Sequence, residues 1–178
     1  MERPIERLGR DIQDLVAKAA RQATVNVMND LAEAGPLWSG RFQDSWVATT
    51  AQGSSGSGSY PYSLANVPEI KLSLAEARSA LLPGGVTYTV ENTQPYAAYA
   101  LDLQEGEFRG VDFAGPPQGK IFAQGTRGGG KTPAIRGDVK TDAEGKAIST
   151  APRDWYTTYI NGGGMAKALE LGVRTVFK

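Results

Sequence analysis

Apolar residues recur at spacings of three and four from residue 4 to residue 33, which predicts a long amphipathic helix. Pro4 suits the first turn, and Gly35-Pro36 is a stop signal. Such a helix is roughly 40 Å long, more than a domain of this size needs for its own core. Two interpretations follow: a core helix with a solvated back, or a helix that packs partly on a neighbouring subunit. The apolar positions are Ile5, Leu8, Ile12, Leu15, Val16, Ala19, Ala23, Val27 and Leu31.

A second pattern, of period two, predicts a central strand. Val86, Tyr88 and Val90 alternate with threonines, as in a strand with one buried face. The run Asn92–Pro95 ends the strand, because proline fixes φ and removes a hydrogen-bond donor. Tyr96–Leu101 then forms one short helical turn. We interpret the strand, the turn and this segment as the centre of the domain.

Weaker patterns predict the remaining elements. Phe42–Thr50 is a strand with Trp46, Ala48 and Thr50 on one face, and 63–72 contains another strand. Ser73 and Glu76 form a capping box for a short helix. A further strand is predicted near Lys120–Gln124.

The C-terminal part is predicted to hold two helices. A cap at 149–151 with Pro152 in the first turn starts the first helix, which has Trp155, Tyr159 and Ile160 on one face. The final helix carries apolar residues from Met165 to Phe177 and is interrupted by Gly172.

Glycine is abundant, at 22 of 178 residues, and clustered. Residues 52–60 are predicted to be a flexible Gly/Ser loop, and 107–148 an extended loop or arm. Together these patterns predict a single α+β domain over residues 1–178. In it, a long N-terminal helix and a C-terminal helix pack on a small, mostly antiparallel β-sheet with long glycine-rich loops.

The amino-acid composition argues against several classes of function. The chain has no His and no Cys, which removes disulfides, thiolate nucleophiles, the usual zinc ligands and the common general base. Nineteen basic residues balance nineteen acidic ones, which argues against strong sequence-independent binding to DNA or anionic membrane. No apolar run is long enough to span a membrane, and no signal-peptide core is evident. Ser45 has no histidine to activate it, so we interpret it as structural.

One motif indicates a different class of protein. Gly125–Thr132 matches G-x-x-x-x-G-K-[ST], the phosphate-binding P-loop. That mechanism needs a helix directly after the loop. Pro133 is followed at once by Arg136-Gly137-Asp138, which ends any helical periodicity. A flexible glycine loop is the favoured interpretation, and a nucleotide-binding module is the alternative.

Two further groups have chemical interpretations. Asp102, Glu105 and Glu107 form an acidic cluster, which suits hard cations or glycoside hydrolysis but more often forms a solvated rim. Tyrosines 88, 96 and 99 suit base stacking or packing. Packing is favoured because no Lys or Arg lies in that segment.

Several short motifs together resemble the neck, or tail-completion, proteins of tailed bacteriophages. The strongest match is Val90–Ala97, followed by Leu101 and Gly106. The family's Leu-Glu-x-Gly and Gln-Ala-Pro-x-Gly stretches are more widely spaced in this chain, and 107–148 is an addition. The resemblance covers residues 1–50 and 73–106 and loosely the last helix. Supporting matches are Gly35-Pro36, Ser39–Phe42, Ser45-Trp46 and Leu82–Gly84.

The resemblance implies a structural virion protein at the head–tail junction, assembled in the host cytoplasm. It implies a homo-oligomeric ring, a hexamer or dodecamer, that joins the head connector to tail proteins and lets DNA pass without specific binding. No enzymatic activity, cofactor, metal or membrane partner is expected. A tail-terminator ring and a non-viral β-rich binding module are alternatives. The residues expected at packing or subunit contacts are Trp38, Phe42, Trp46, Asn92, Pro95, Tyr96, Tyr99, Leu101 and Trp155.

Overall fold

The structure is a computed structural model that describes residues 4–36, 40–54, 58–70, 87–95, 97–101, 139–141, 147–152 and 154–178. Its helices and strands confirm the predicted α+β class. The helices are α1 (Pro4–Ala34), α2 (Ala97–Ala100), α3 (Trp155–Asn161) and α4 (Gly164–Val176). The strands are β1 (Trp46–Thr50), β2 (Gly53–Ser54), β3 (Thr89–Asn92), β4 (Val139–Thr141) and β5 (Ala147–Pro152).

Helix α1 has the predicted extent, and its end has a packing cause. Gly35 donates its N–H to the Leu31 carbonyl at 3.1 Å. The Phe42 ring occupies the space beside Gly35: a Cβ there would lie 2.7 Å from Phe42 Cε1. The helix therefore ends where the chain must let an aromatic ring approach its backbone. The C-terminal half of α1 lies in the core, with Met28 fully buried.

Within the described residues, the main sheet has three antiparallel strands in the order β2-β1-β3. Trp46 lies opposite Asn92, and Thr49 opposite Thr89. The predicted face is correct for Trp46 and Ala48, which are buried. The strand prediction is wrong for Gln43–Ser45, which form a 3₁₀ turn. Asp44 N–H bonds to the Gly40 carbonyl at 2.9 Å there, so the chain turns before it extends.

Strand β3, the Gly/Ser loop and the segment 63–72 also differ from the prediction. Strand β3 keeps the predicted alternation but runs to Asn92. Within the Gly/Ser loop, Gly53–Ser54 pair with β1. Over the described part of 63–72, a 3₁₀ turn at Leu64–Asn66 replaces the predicted strand. The reason is local: Asn66 Oδ1 accepts from the Ser63 N–H at 2.9 Å.

Strands β4 and β5 form a separate two-stranded antiparallel sheet, in which Val139 lies opposite Pro152. The predicted helix cap at 149–151 is therefore wrong, because those residues belong to strand β5, which pairs with β4. Helix α3 starts later, at Trp155. The C-terminal end of the predicted 107–148 arm is β-structure at 139–141 and 147–148. The predicted helix after Ser73 and the strand near 120–124 lie outside the described residues.

Helix α4 runs through Gly172 without interruption, contrary to the prediction. Gly172 is the residue at which α4 contacts α1: a Cβ there would lie 2.5–2.6 Å from the backbone and Cβ of Ala23. One turn earlier in α4, the Ala168 carbonyl accepts from Asn26 Nδ2 at 3.1 Å. The pairings 168 with 26 and 172 with 23 show that α4 runs antiparallel to α1.

Substitution of Gly172 by Ala is expected to force α4 away from α1, because the added Cβ overlaps backbone atoms of Ala23. We expect the free energy of unfolding to fall by about 1–3 kcal/mol in urea denaturation, the range for overpacked contacts. Gly9→Ala is the matched control. A Cβ at Gly9 meets nothing within 4 Å, so this change should stabilise α1 by about 0.4–1 kcal/mol. An unchanged or increased stability for Gly172→Ala would contradict the close contact.

Candidate assembly surface

Three of the aromatic residues predicted at packing contacts form the centre of the core. The Phe42 ring meets Trp46 edge-to-face at 5.5 Å and Trp155 edge-to-face at 6.0 Å. All three are buried. Trp155 Nε1 also donates to the Ala100 carbonyl at 2.6 Å, which ties α3 to α2. These aromatics join the ends of distant elements within one chain, so they are not on a free surface.

Asn92 holds the turn that follows β3. Its Nδ2 donates to the Phe42 carbonyl at 2.7 Å, and its Oδ1 accepts from Gln94 N–H at 3.1 Å. The adjacent Thr93 N–H donates to the Ser45 carbonyl at 2.9 Å. The turn is thereby fixed against the entry of β1, and Gln94 then starts α2 by accepting from Ala97 N–H at 2.9 Å.

The remaining predicted residues are less central. Pro95 is exposed, and Leu101 is half-buried against the core. Trp38 and Tyr96 lie outside the described residues, as does the side chain of Tyr99. The P-loop match at 125–132 and the acidic residues 102, 105 and 107 also lie outside them.

Tyr62 is a central residue that the sequence pattern did not single out. Its buried hydroxyl donates to the Gln43 carbonyl at 2.8 Å and accepts from the Trp46 N–H at 2.9 Å. Asn29 of α1 holds the Tyr62 backbone through bonds of 2.7 and 3.0 Å. Tyr62 therefore connects α1 to the start of β1. No periodicity indicates this role, because it depends on a hydroxyl that reaches across the fold.

A polar cluster braces α1 against its neighbours. The Tyr60 hydroxyl donates to Glu33 at 2.5 Å, and this bond raises the pKa of Tyr60 to about 12. Burial, followed by the charge of Asp30, raises the pKa of Tyr159 as well. Burial and the charge of Glu33 raise the pKa of Asp30. Both tyrosines therefore stay protonated at neutral pH, and the Tyr60 hydroxyl acts as a hydrogen-bond donor.

Large apolar side chains are exposed on two of the helices, α1 and α4. Leu8, Ile12, Leu15 and Val16 of α1 are exposed, Leu8 by 60% and Ile12 by 44%; we call these four residues the α1 seam. Leu169, Val173 and Phe177, on and just after α4, are also exposed, Val173 by 48%; we call them the α4 face. Adjoining apolar side chains of this number mark interaction sites more often than ordinary surface.

A groove separates the two sets. Its volume is about 260 Å³, and every lining residue is apolar. The lining residues are Val16, Ala19, Ala20, Ala23, Leu169, Val173 and Phe177. The antiparallel course of α4 explains the shape, because α4 covers α1 from about residue 26 back to residue 16 and then ends. At 1.5 Å per residue, the first twelve residues of α1 extend about 18 Å beyond that end.

This surface offers packing and no reactive chemistry. Within the described residues, no group of three or more acidic, His or Cys side chains is arranged to hold a metal ion. No helix in the same part of the chain is long and apolar enough to cross a membrane. The described structure therefore presents an apolar docking surface as its candidate functional site.

Substitution of Tyr62 by Phe is expected to lower the free energy of unfolding by about 1–3 kcal/mol, because it leaves the buried Trp46 N–H without its hydroxyl acceptor. Tyr60→Phe is the control, since it removes a bond to Glu33 that water can replace. We expect a smaller loss for the control in chemical denaturation. Equal losses of unfolding free energy in the two variants would show that the buried hydrogen bonds of Tyr62 contribute no more to stability than the exposed bond of Tyr60.

Asp30 is expected to make stability pH-dependent. Its folded pKa lies above its ordinary 3.8, so its favourable contribution is present below that value and is lost as pH rises through the folded pKa. Asp30→Asn should therefore lose less stability than the wild type between about pH 4 and pH 7. Asp14→Asn, on an exposed part of α1, controls for the loss of one carboxylate. A steeper loss of stability with rising pH in Asp30→Asn than in the wild type would contradict the raised pKa of Asp30.

Comparisons with known proteins assign no family. No protein-family model matches the chain, and neither a curated protein nor a solved structure matches it.

Proposed function

We propose that this chain is a structural subunit of a tailed-phage virion that assembles as a ring at the head–tail junction and joins the head connector to the tail. The observation that carries the proposal is the exposed apolar surface of the α1 seam and the α4 face. Burial of apolar area is the main favourable term in subunit association. A subunit that works by assembly needs such a surface.

The length of α1 supports the same role. Its C-terminal half packs in the core, while the seam extends past the end of α4 with its leucines and isoleucine in water. This division matches the second interpretation of the helix, in which part of it packs on a neighbour. A helix that served only its own core would begin near Gln13, the first buried residue among the described side chains of α1.

The motif that carries the family resemblance has a consistent structural role. The Asn92 turn is bonded to the Phe42 carbonyl and places α2 against Trp155. The turn therefore helps to hold the core from which the helices extend, and in this proposal the apolar helical surface supplies the contact between subunits. Neutral net charge suits a ring through which DNA moves without being held.

Loss of this chain from the phage genome that encodes it is expected to leave DNA-filled heads and complete tails that are not joined. Electron microscopy of lysates checks this outcome, and antibody labelling of wild-type virions should mark the junction. Complementation by the wild-type gene is the control. Joined, infectious particles without the chain, or label elsewhere on the virion, would refute the proposed position.

A further inference from the structure

The α1 seam lies on the part of α1 that the chain's own α4 leaves uncovered. Gly172 packs on Ala23, and α4 ends near residue 16 of α1, where Val16 and Phe177 line the same groove. Towards its N-terminus, α1 continues for about 18 Å beyond that point, whereas a helix with its side chains is about 10–12 Å across. A helix of another molecule can therefore cross the seam without meeting α4.

The α4 face has the length that such a contact needs. Leu169 to Phe177 spans about 12 Å along the helix axis, and Leu8 to Val16 spans the same distance. Every residue that lines the groove beside the α4 face is apolar. The two surfaces are therefore apolar strips of equal length, and one chain carries both.

We propose that the α1 seam of each copy packs against the α4 face of the next copy, so that the chains associate head to tail. Contacts between two different surfaces of one chain are heterologous, and they continue from copy to copy until a ring closes. The closure into a ring rests on the proposed function, whereas the contact itself needs only the two surfaces. Each copy would give its seam to one neighbour and its α4 face to the other.

The groove gives this contact its shape. Its volume of about 260 Å³ has room for about two branched aliphatic side chains, such as those of the seam. Its floor includes Ala19 and Ala23, which are buried, while Val173 and Phe177 on its wall are 48% and 49% exposed. The neighbour's seam would lie against these exposed side chains, beside α4 and not in its place. The packing of α4 on Ala23 is therefore kept in the assembly.

The exposed area favours a ring over a stable dimer. The α1 seam and the α4 face together hold seven large apolar side chains, each 37–60% exposed. They present on the order of 500 Å² to one contact, less than the roughly 700 Å² of apolar area in a small stable interface. Each subunit of a closed ring makes two such contacts, so closure supplies stability that a single contact lacks.

Disulfide trapping tests the contact, because the chain has no cysteine of its own. Ile12→Cys and Val173→Cys variants are mixed under mild oxidation, after circular dichroism has checked that each is folded. Within one chain these positions cannot join, because Ile12 lies about 16 Å along α1 from the Ala23 contact and a disulfide needs Cα atoms within about 7 Å. We expect the mixture to form a mixed dimer about tenfold or more faster than either variant dimerises alone.

Leu171→Cys is the matched control for Val173→Cys. Leu171 is 58% exposed on α4 but does not line the groove, so its mixture with Ile12→Cys should react slowly. Equally fast trapping with Leu171→Cys would overturn the contact. Faster dimerisation of Ile12→Cys alone would overturn it as well, because seams would then pair with seams.

A chain with both Ile12→Cys and Val173→Cys distinguishes a head-to-tail assembly from a reciprocal pair. It should give cross-linked species of three and more chains on a denaturing gel. A product that stops at two chains would overturn the head-to-tail contact.

The contact and the proposed function can fail separately. Trapping with the expected preference, together with virions labelled away from the junction, would count against the proposed function alone. Junction labelling together with no trapping preference would count against the contact alone.

Discussion

The close contact between Gly172 of α4 and Ala23 of α1 is the constraint on which the helical layer depends. It exists because neither residue has a side chain larger than a methyl group, so the two backbones meet at a distance that a Cβ on residue 172 would not allow. The contact fixes α4 in the antiparallel direction. Asn26, which reaches the Ala168 carbonyl, holds the alignment one turn away. The position at which α4 ends then decides how much of α1 remains uncovered.

The other side of α1 is held by polar side chains as much as by apolar area. Asn29 fixes the Tyr62 backbone, and the Tyr62 hydroxyl bonds to the start of β1. Arg21 donates to the carbonyls of Leu64 and Val67, which pins the connecting segment to the helix. Of these hydrogen bonds, the one made by the Tyr62 hydroxyl is buried, so an unpaired partner there would be costly.

The aromatic cluster connects these helices to the sheet. Phe42 contacts Trp46 of β1 and Trp155 of α3, and its ring also lies against Gly35 at the end of α1. One side chain thus touches three elements, of which α3 is distant in sequence. These aromatic residues, which the sequence predicted at packing or subunit contacts, pack in the chain's own core. The surface left for a partner lies on the helices.

The sequence alone determined the long helix, its stop at Gly35, the strand pattern around Val90 and the helical turn after Pro95, because these depend on local periodicity and on glycine and proline. Tertiary structure decided the rest. Gln43–Ser45 turn although their pattern fits a strand, because local backbone bonds prevail there. Residues 147–152 join β4 instead of capping a helix, because a strand partner distant in the chain is available. Gly172 became a contact instead of a break, because only the packed fold supplies Ala23 beside it. The exposure of the α1 seam was likewise decided by where α4 ends, which no periodicity within α1 records.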